Sequence, residues 1–441
     1  MQLIILLSSM MVFSQQFTLN GKIAATAIVS SENEIPFWFY TNSNFSIAEL
    51  TNASITGEIT TKLKFSSFNI IAGTAIYGRD GVEDAVQRRD LYIQFENPWL
   101  FATVGSKKEA EVLDGLSATN QNFLLSGNAR PLPGIILEAN NPIKISNTFA
   151  VDWAIAHYVL NDKRYVKSPN LHHKKLAFIA TFNEKHKLTA KIQHYVQWGG
   201  TSPEYGKLKD GFNDFFKIFF ASKYKEIGLQ GEIQNAIGNH LGSYMLNYEY
   251  KNRWGQFSVY HEHPFEDGSG TRLANFPDGV WGAFFMPKNQ KIISSILYEY
   301  IDTMDQSGVS ISGRDHYFRN AIYRSGWTYE KNIIGSPFIL YNKTLPLDVN
   351  SSRFLSNRSK THHLGIAGGF KKFQWKFKST LAKYFGTYTR PFKPEWKYWY
   401  TYGSLSYKVE KLGTFTILGG VDVSNVSKTL IGGGIQYSYS F

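Results

Sequence analysis

The sequence predicts an all-β protein, a transmembrane antiparallel outer-membrane β-barrel of about 18 strands with long loops and a short loop helix. Three observations predict it. Polar and apolar residues alternate with a period of two over several segments longer than about ten residues. Aromatic residues make up 16% of the chain, mostly phenylalanine (33) and tyrosine (26), yet mean hydropathy is slightly negative. Past the first residues there is no run of about 20 apolar residues, which excludes membrane helices. It leaves open strands whose alternate residues face a polar interior.

The chain starts with LIILLSSMMVF, an apolar run from Leu3 that ends near the small residues Val12 and Ser14. It reads as a signal peptide over residues 1–14, with the mature chain from Gln15, although no lysine or arginine stands near the start. Residues 15–441 are expected to form a single barrel with lumen- or mouth-covering loops, because no long repeat and no proline-, glycine- or serine-rich linker divides them. The absence of cysteine in an exported chain means stability without disulfides, and no thiolate nucleophile or metal site. A formal charge of +12 suits an acidic polymer, lipid headgroups or nucleic acid. Export argues against nucleic acid, and the alternation points several lysines towards a basic interior.

Taken in order, FTLNGKIAATAIV (17–29) is expected to be the first strand. In ARPLPGIILEANNPIKI (129–145), Pro131 and Pro133 fit a loop that leads into a strand, since proline cannot donate to a ladder. HKLTAKIQHYVQWGG sets Leu188, Ala190, Ile192, Val196 and Trp198 against Lys187, Thr189, Lys191, Gln193 and Gln197, with His194 interrupting the apolar face. In LKDGFNDFFKIFFASKY, Phe212, Phe215, Phe216 and Phe219 recur at helical spacing, with Asp210 as a candidate cap. That segment reads either as a helix on or in the barrel mouth, or as an apolar strand. SYMLNYEYKN sets Tyr244, Leu246, Tyr248 and Tyr250 against Asn247 and Glu249, and WGQFSVYHE sets Phe257 and Val259 against Gln256, Ser258 and Glu262. FKKFQWKFKSTLAKYF sets Phe373, Trp375, Phe377 and Leu381 against Lys372, Gln374, Lys376, Lys378 and Thr380.

A large soluble sandwich would also alternate. Tyr195, Trp198, Trp254 and Tyr384 near strand ends favour a barrel with an interfacial aromatic belt. So does the segment GIQYSYSF, where Ile435, Tyr437, Tyr439 and Phe441 share a face against Gln436, Ser438 and Ser440. Its backbone needs a partner, and closure onto the first strand supplies one.

The segment HEHPFEDGSGTRLANFPDGVWG packs carboxylates, histidines, an arginine and glycines between apolar strands. It reads as a rigid loop with Arg272 paired to Glu266 or Asp267, or as a polysaccharide-binding rim. A calcium loop lacks the twelve-residue spacing, and an acid–base carboxylate pair lacks a defined separation. The pairs His172–His173 and His362–His363 point to opposite strand faces, while His261 and His263 face one way without a third ligand. Arg130 and His240 sit in polar turns, where they reach a ligand or satisfy loop carbonyls. Residues 300–338 hold Asp302, Asp305, Gln306, Arg314, Asp315 and His316 among Tyr317, Tyr323 and Trp327, which suits a sugar-recognising loop or a hydrogen-bonded lumen plug. No nucleophile elbow or phosphate-binding loop occurs.

In order from about residue 114 to 329, DGLSATNQNFLLSGNARPLPG, LHHKK, HYVQWGG, NAIGNHLGSY, HPFEDGSG, NFPDGVWG, TMDQSG and YRSGWTY resemble the Wzi-type capsule assembly family in its Bacteroidetes-like form. The resemblance implies an outer-membrane barrel lectin that holds exported capsular polysaccharide, with a blocked lumen and no catalytic role. It also implies a small N-terminal helical bundle. Residues 17 to 60 show little helical periodicity, so that bundle is expected to be reduced or missing.

The expected function is therefore binding of capsular or other surface polysaccharide to aid its attachment or assembly, without catalysis, cofactor or metal. Candidate polysaccharide-binding residues are Glu266, Asp267, Arg272, Arg314, Asp315 and Trp327. Expected partners are the polysaccharide, outer-membrane lipids and the polysaccharide export machinery, around a monomeric chain. The alternatives are a solute channel, with Lys372, Lys376 and Lys378 facing water, and a barrel-embedded glycan hydrolase.

Overall fold

Alternation closes the sheet on itself. The computed structural model describes residues 16–222, 237–266, 268–308, 315–346 and 352–441. The segment read as a signal peptide, Asp267 and Arg314 lie outside the described residues. Eighteen antiparallel strands form one closed barrel. In chain order they are β1 (Gln16–Ser30), β2 (Ala53–Lys64), β3 (Asn69–Arg79), β4 (Val86–Glu96), β5 (Leu100–Ser106) and β6 (Gly134–Ala139). Next come β7 (Phe149–Val159), β8 (Asn170–Phe182), β9 (His186–Trp198), β10 (Asn239–Lys251), β11 (Gly255–Phe265) and β12 (Gly279–Pro287). The last six are β13 (Ile293–Asp302), β14 (Ser359–Phe370), β15 (Phe373–Gly386), β16 (Pro391–Val409), β17 (Gly413–Ser424) and β18 (Leu430–Ser440). Each pairs with its neighbours in sequence, and β18 returns to β1 with Lys22 opposite Ser440 and Ser30 opposite Gly432. Closure removes the edges that lipid cannot hydrate.

The aromatic Phe441 completes this seam. Its N–H and carbonyl exchange bonds of 3.0 and 2.8 Å with Gly21. A Cβ at Gly21 would stand 2.3 Å from the Phe441 ring, so only glycine lets the ring lie flat across the strand.

Outward residues are apolar: Ile23, Ile59, Leu91, Phe178, Leu246, Phe377 and Ile435 are exposed side chains on a protein wall. This is a lipid-facing belt. Short turns join the strands at one end, and segments of up to about 40–60 residues join them at the other, which sets the short-turn end in the periplasm. At that end, outward rings pair across strands, as in Phe149–Phe178, Phe257–Phe285, Phe373–Tyr407 and Phe415–Tyr437, with centroids 4.3–5.4 Å apart. A second girdle at the outer end includes Trp281 stacked on His261 and Tyr298 bonded to His362. Tyr195 and Tyr384, expected in the belt, are instead fully buried in the lumen, because they share parity with the inward Gln193 and Lys378.

Two helices of note accompany the strands. α1 (Phe37–Tyr40) is a single turn folded into the lumen. α2 (Phe212–Phe219) resolves the ambiguous phenylalanine run as a helix. It lies against outward residues of β8 and β9 rather than on or in the mouth. Its N-cap is Gly211, whose N–H is accepted by Asp214, while Asp210 pairs with Lys207 at 3.3 Å.

Candidate functional site

The outer half of the lumen is filled by the chain's own loops. Residues 107–133, between β5 and β6, bring Leu116, Phe123 and Leu124 into a core with Phe318, Trp327 and Phe338 of segment 303–358 and Phe37 and Trp38 of α1. Two wall carboxylates hold this plug. Glu299 on β13 accepts from Ser117 Oγ (2.6 Å), the Ala118 N–H (2.7 Å) and the Tyr260 hydroxyl. Glu262 on β11 accepts from the Phe123 N–H (2.8 Å), Ser243 Oγ (2.7 Å) and Gln193 Nε2 (3.0 Å). Both are fully buried, and such carboxylates persist only with several donors each. His363 ties the Leu116 carbonyl (2.8 Å) to the Thr380 hydroxyl (2.7 Å), and its neighbour His362 points outward, as strand parity requires.

A second node joins the loops above. Asp278 accepts from the Asp305 N–H (2.9 Å), the Gln306 N–H (2.8 Å) and the Tyr317 hydroxyl (2.8 Å). Burial raises its pKa to about 6 against the opposing pull of those donors. Burial, with the Asp278 charge beside it, also lifts Tyr317.

Several residues predicted from sequence fall in this scaffold. Glu266 accepts from the N–H groups of Phe318 (2.6 Å) and His316 (3.1 Å), so it clasps segment 303–358. It makes no pair with Arg272, whose side chain is exposed. Asp315 is buried and accepts from Ser307 Oγ at 2.6 Å. Trp327 is completely buried and donates to the Leu124 carbonyl at 2.7 Å. The loop thus brings Glu266 and Asp315 to one scaffold, with Trp327 deeper in the plug and Arg272 at the surface. Arg130 bonds the Arg88 carbonyl, Tyr329 and Glu330, and His240 lies 2.9 Å from both His194 and the Ile237 carbonyl. His261 and His263 have ring centroids 6.0 Å apart. Among the described residues no three histidine or acidic side chains converge as a metal site.

The pocket at the outer mouth was not singled out from sequence. It measures about 330 Å³, at the small end of ligand sites, and lies between α1, segment 331–343 and the outer ends of β16 and β17. Tyr40, Tyr341, Trp396 and Tyr398 line it with partly exposed rings, beside Asn332 and Asp422. Phe392 stacks on Trp396 at 4.1 Å, and Tyr398 on Tyr400 at 5.2 Å, so the rings are held in place by others. Asp422 Oδ2 accepts from the Phe37 N–H at 2.7 Å, while its Oδ1 is buried with no partner in the protein. Fixed aromatic faces next to a few oriented polar groups can hold a polar ring with apolar faces. The sequence signal was EWKYWYTY: Trp396, Tyr398, Tyr400 and Tyr402 occupy the inward parity, where other strands carry lysine, glutamine or threonine.

Charge at the outer end is positive. Arg319 is held below the usual guanidinium range by partial burial and by Arg390 and Arg324 nearby. Arg324 pairs with Glu204 at 3.0 Å. Beneath the plug, a larger cavity of about 970 Å³ is lined by Glu58, Lys107, Glu138, Lys175, Lys191 and Glu249.

The family model described as capsule assembly protein Wzi matches residues 116–360, more than half of the 441 residues. A solved structure described as Wzi, an outer membrane protein involved in group 1 capsule assembly in Escherichia coli and a carbohydrate-binding β-barrel, superposes with a TM-score of 0.62. The two are 11% identical, over 96% of this chain and 84% of that one. OpdL of Pseudomonas aeruginosa (10% identity, 97% and 99% coverage) and a BenF-like porin from Pseudomonas fluorescens Pf-5 (10%, 97% and 98%) each reach 0.50, a likeness of fold. No curated protein sequence matches the chain.

Proposed function

The chain belongs to the Wzi family of capsule assembly proteins, and from that premise we propose that it binds capsular or other surface polysaccharide at the outer face of the outer membrane, keeping the polymer attached during assembly. Membership makes it a capsule assembly protein, and in this reading it acts by binding, with no catalytic step assigned to any residue. The observation that carries the reading is the mouth. The lumen behind it is packed with apolar side chains, while an aromatic and polar pocket opens outward.

In this reading Trp396, Tyr398 and Tyr341 supply faces for sugar rings, and Asp422 and Asn332 accept and donate to hydroxyls. Arg390 and Arg324 both repel Arg319, and an acidic polymer relieves that repulsion. Exposed Arg272 extends the contact surface, with Asp267 and Arg314, which lie outside the described residues, as further proposed contacts, while Glu266, Asp315 and Trp327 act by holding the loops. Weak contacts to successive repeats add through effective concentration. The export machinery is the further partner such a role requires.

The test is binding of the detergent-folded protein to polysaccharide from its own cells, with reducing ends followed in the same sample. Saturable binding that falls with added salt, without new reducing ends, supports the reading. Release of reducing ends would indicate a hydrolase. No binding, together with steady single-channel conductance, would indicate a channel.

A further inference from the structure

The helix α2 sits where a soluble loop has no reason to place one. Its Phe215, Ile218 and Phe219 pack on outward side chains of the wall: His157 of β7, His172 of β8, and Val196 and Trp198 of β9. Lys174, also outward on β8, donates to the Phe219 carbonyl and lies over the Phe219 ring at 4.6 Å, tying down the helix C-terminus. These contacts are at the outer ends of strands whose next outward residues, Leu176, Phe178, Leu188 and Ile192, form the exposed lipid belt. The height is therefore the outer boundary of the hydrocarbon.

The helix has a second apolar face. Phe212, Phe216 and Phe220 are 77%, 47% and 69% exposed. At about 100° per residue they span one sector, about a quarter-turn away from the wall-facing Phe215, Ile218 and Phe219. Asn213, Asp214 and Lys217 occupy the remaining sector. Three large rings on one line, left exposed among the described residues, form an unfavourable surface in water. Burying each ring away from water is favourable. A helix with a wall face, a bare aromatic face and a polar face fits one place, the plane between acyl chains and headgroups, and this face continues the belt of the barrel.

We propose that α2 is an interfacial helix that seats Phe212, Phe216 and Phe220 in the outer leaflet and pins segment 199–222 to the lipid beside the mouth. The partner is the bilayer itself, with acyl chains against the rings and anionic headgroups near the exposed Lys217 and Lys207.

The absence of cysteine allows a clean test. The full chain carrying Phe216→Cys or Asn213→Cys is spin-labelled and folded into phosphatidylethanolamine–phosphatidylglycerol vesicles, with Leu188→Cys as a belt reference. The collision ratio of oxygen to a water-soluble nickel chelate is then read at each site. The label at 216 is expected to approach the belt reference and exceed the label at 213 several-fold. Equal ratios at 216 and 213, both on the aqueous side, would overturn the proposal. A companion variant, Phe212→Ser/Phe216→Ser/Phe220→Ser, is expected to be cut by trypsin in segment 199–222 several-fold faster than the parent in the same vesicles. An unchanged rate in a barrel that still shows the folded, heat-modifiable band would overturn the pinning.

Discussion

Removing Glu299 should release the plug while leaving the barrel. In Glu299→Ala, the Ser117 hydroxyl, the Ala118 N–H and the Tyr260 hydroxyl lose their acceptor, and all three residues are buried. A buried donor left unmade costs about 1–3 kcal/mol. The carboxylate's own desolvation penalty disappears with it, and the small cavity admits water to some donors. The lower end of the range therefore applies, about 3 kcal/mol for the set. The barrel ladder is untouched, so the loss falls on the plug segment, whose open state rises by about a hundredfold. Adding Glu262→Ala strips the Phe123 N–H, Ser243 and Gln193 as well, and the two anchors sit on β11 and β13, which are not neighbours in the ladder. The assay is hydrogen exchange over residues 113–126 together with planar-bilayer conductance. The parent should exchange slowly and conduct nothing. Glu299→Ala should exchange faster, and the double variant should show brief openings through the lower cavity. Slow exchange in the double variant, with its heat-modifiable band intact, would refute the anchoring argument.

Further outcomes follow from the mouth, the loop node and the seam. Trp396→Ala should weaken polysaccharide binding roughly tenfold, the loss of one aromatic anchor, while leaving folding unchanged; titration calorimetry reads it. For Asp278 the folded pKa of about 6 lies above the unfolded value. The node is therefore most stable below about pH 4, loses about 2–3 kcal/mol as pH rises to about 6, and is flat above. Asp278→Asn should abolish that slope in hydrogen exchange of residues 303–308, whereas an unchanged slope would assign the titration to another group. Phe441→Ala bares the Gly21 strip and should lower the yield of the heat-modifiable folded form by making closure of β18 on β1 less favourable, as read on unboiled gels.

The barrel was legible because a wall between lipid and a polar lumen forces alternation on every strand, and the segments from 187 to 198 and 372 to 380 carry it in the open. Parity also separated His172 from His173 and His362 from His363. The plug was less legible. Its residues obey no period, and Glu262 and Glu299 look like ordinary lumen carboxylates until their partners arrive from 139 to 182 residues away. Tyr195 and Tyr384 were placed in the belt by residue type, although their own parity pointed inward. The mouth pocket draws Tyr40, Asn332, Trp396 and Asp422 from separate stretches, so no local motif announces it. The helical spacing of α2 was readable, but the wall it packs on was not, because nothing in the sequence says which loop folds back over the outside.

The placement of charge argues against the anion-channel alternative independently of the plug. Lysines on inward parity suggested a basic lumen. The structure pairs several of them: Lys62 with Glu96 at 3.0 Å, Lys175 with Asp152 at 2.9 Å, and Lys187 with Glu249 at 2.9 Å. Arg89 and Lys108 share Glu58. Lys378 sits 4.6 Å over the Trp38 ring, inside the packed region, and Lys372 lies in a periplasmic turn. Much of the positive excess is on the rims. Lys185, Lys251, Arg253, Lys291, Lys371 and Lys411 occupy or flank the short turns, where long cationic side chains meet phospholipid headgroups. Arg319 and Arg390 stand at the other end, facing outward. A field of this shape does little to pull an anion through the wall. It suits phospholipid headgroups below and, under the proposed function, an acidic polymer above, so the two rims would do different work with the same charge.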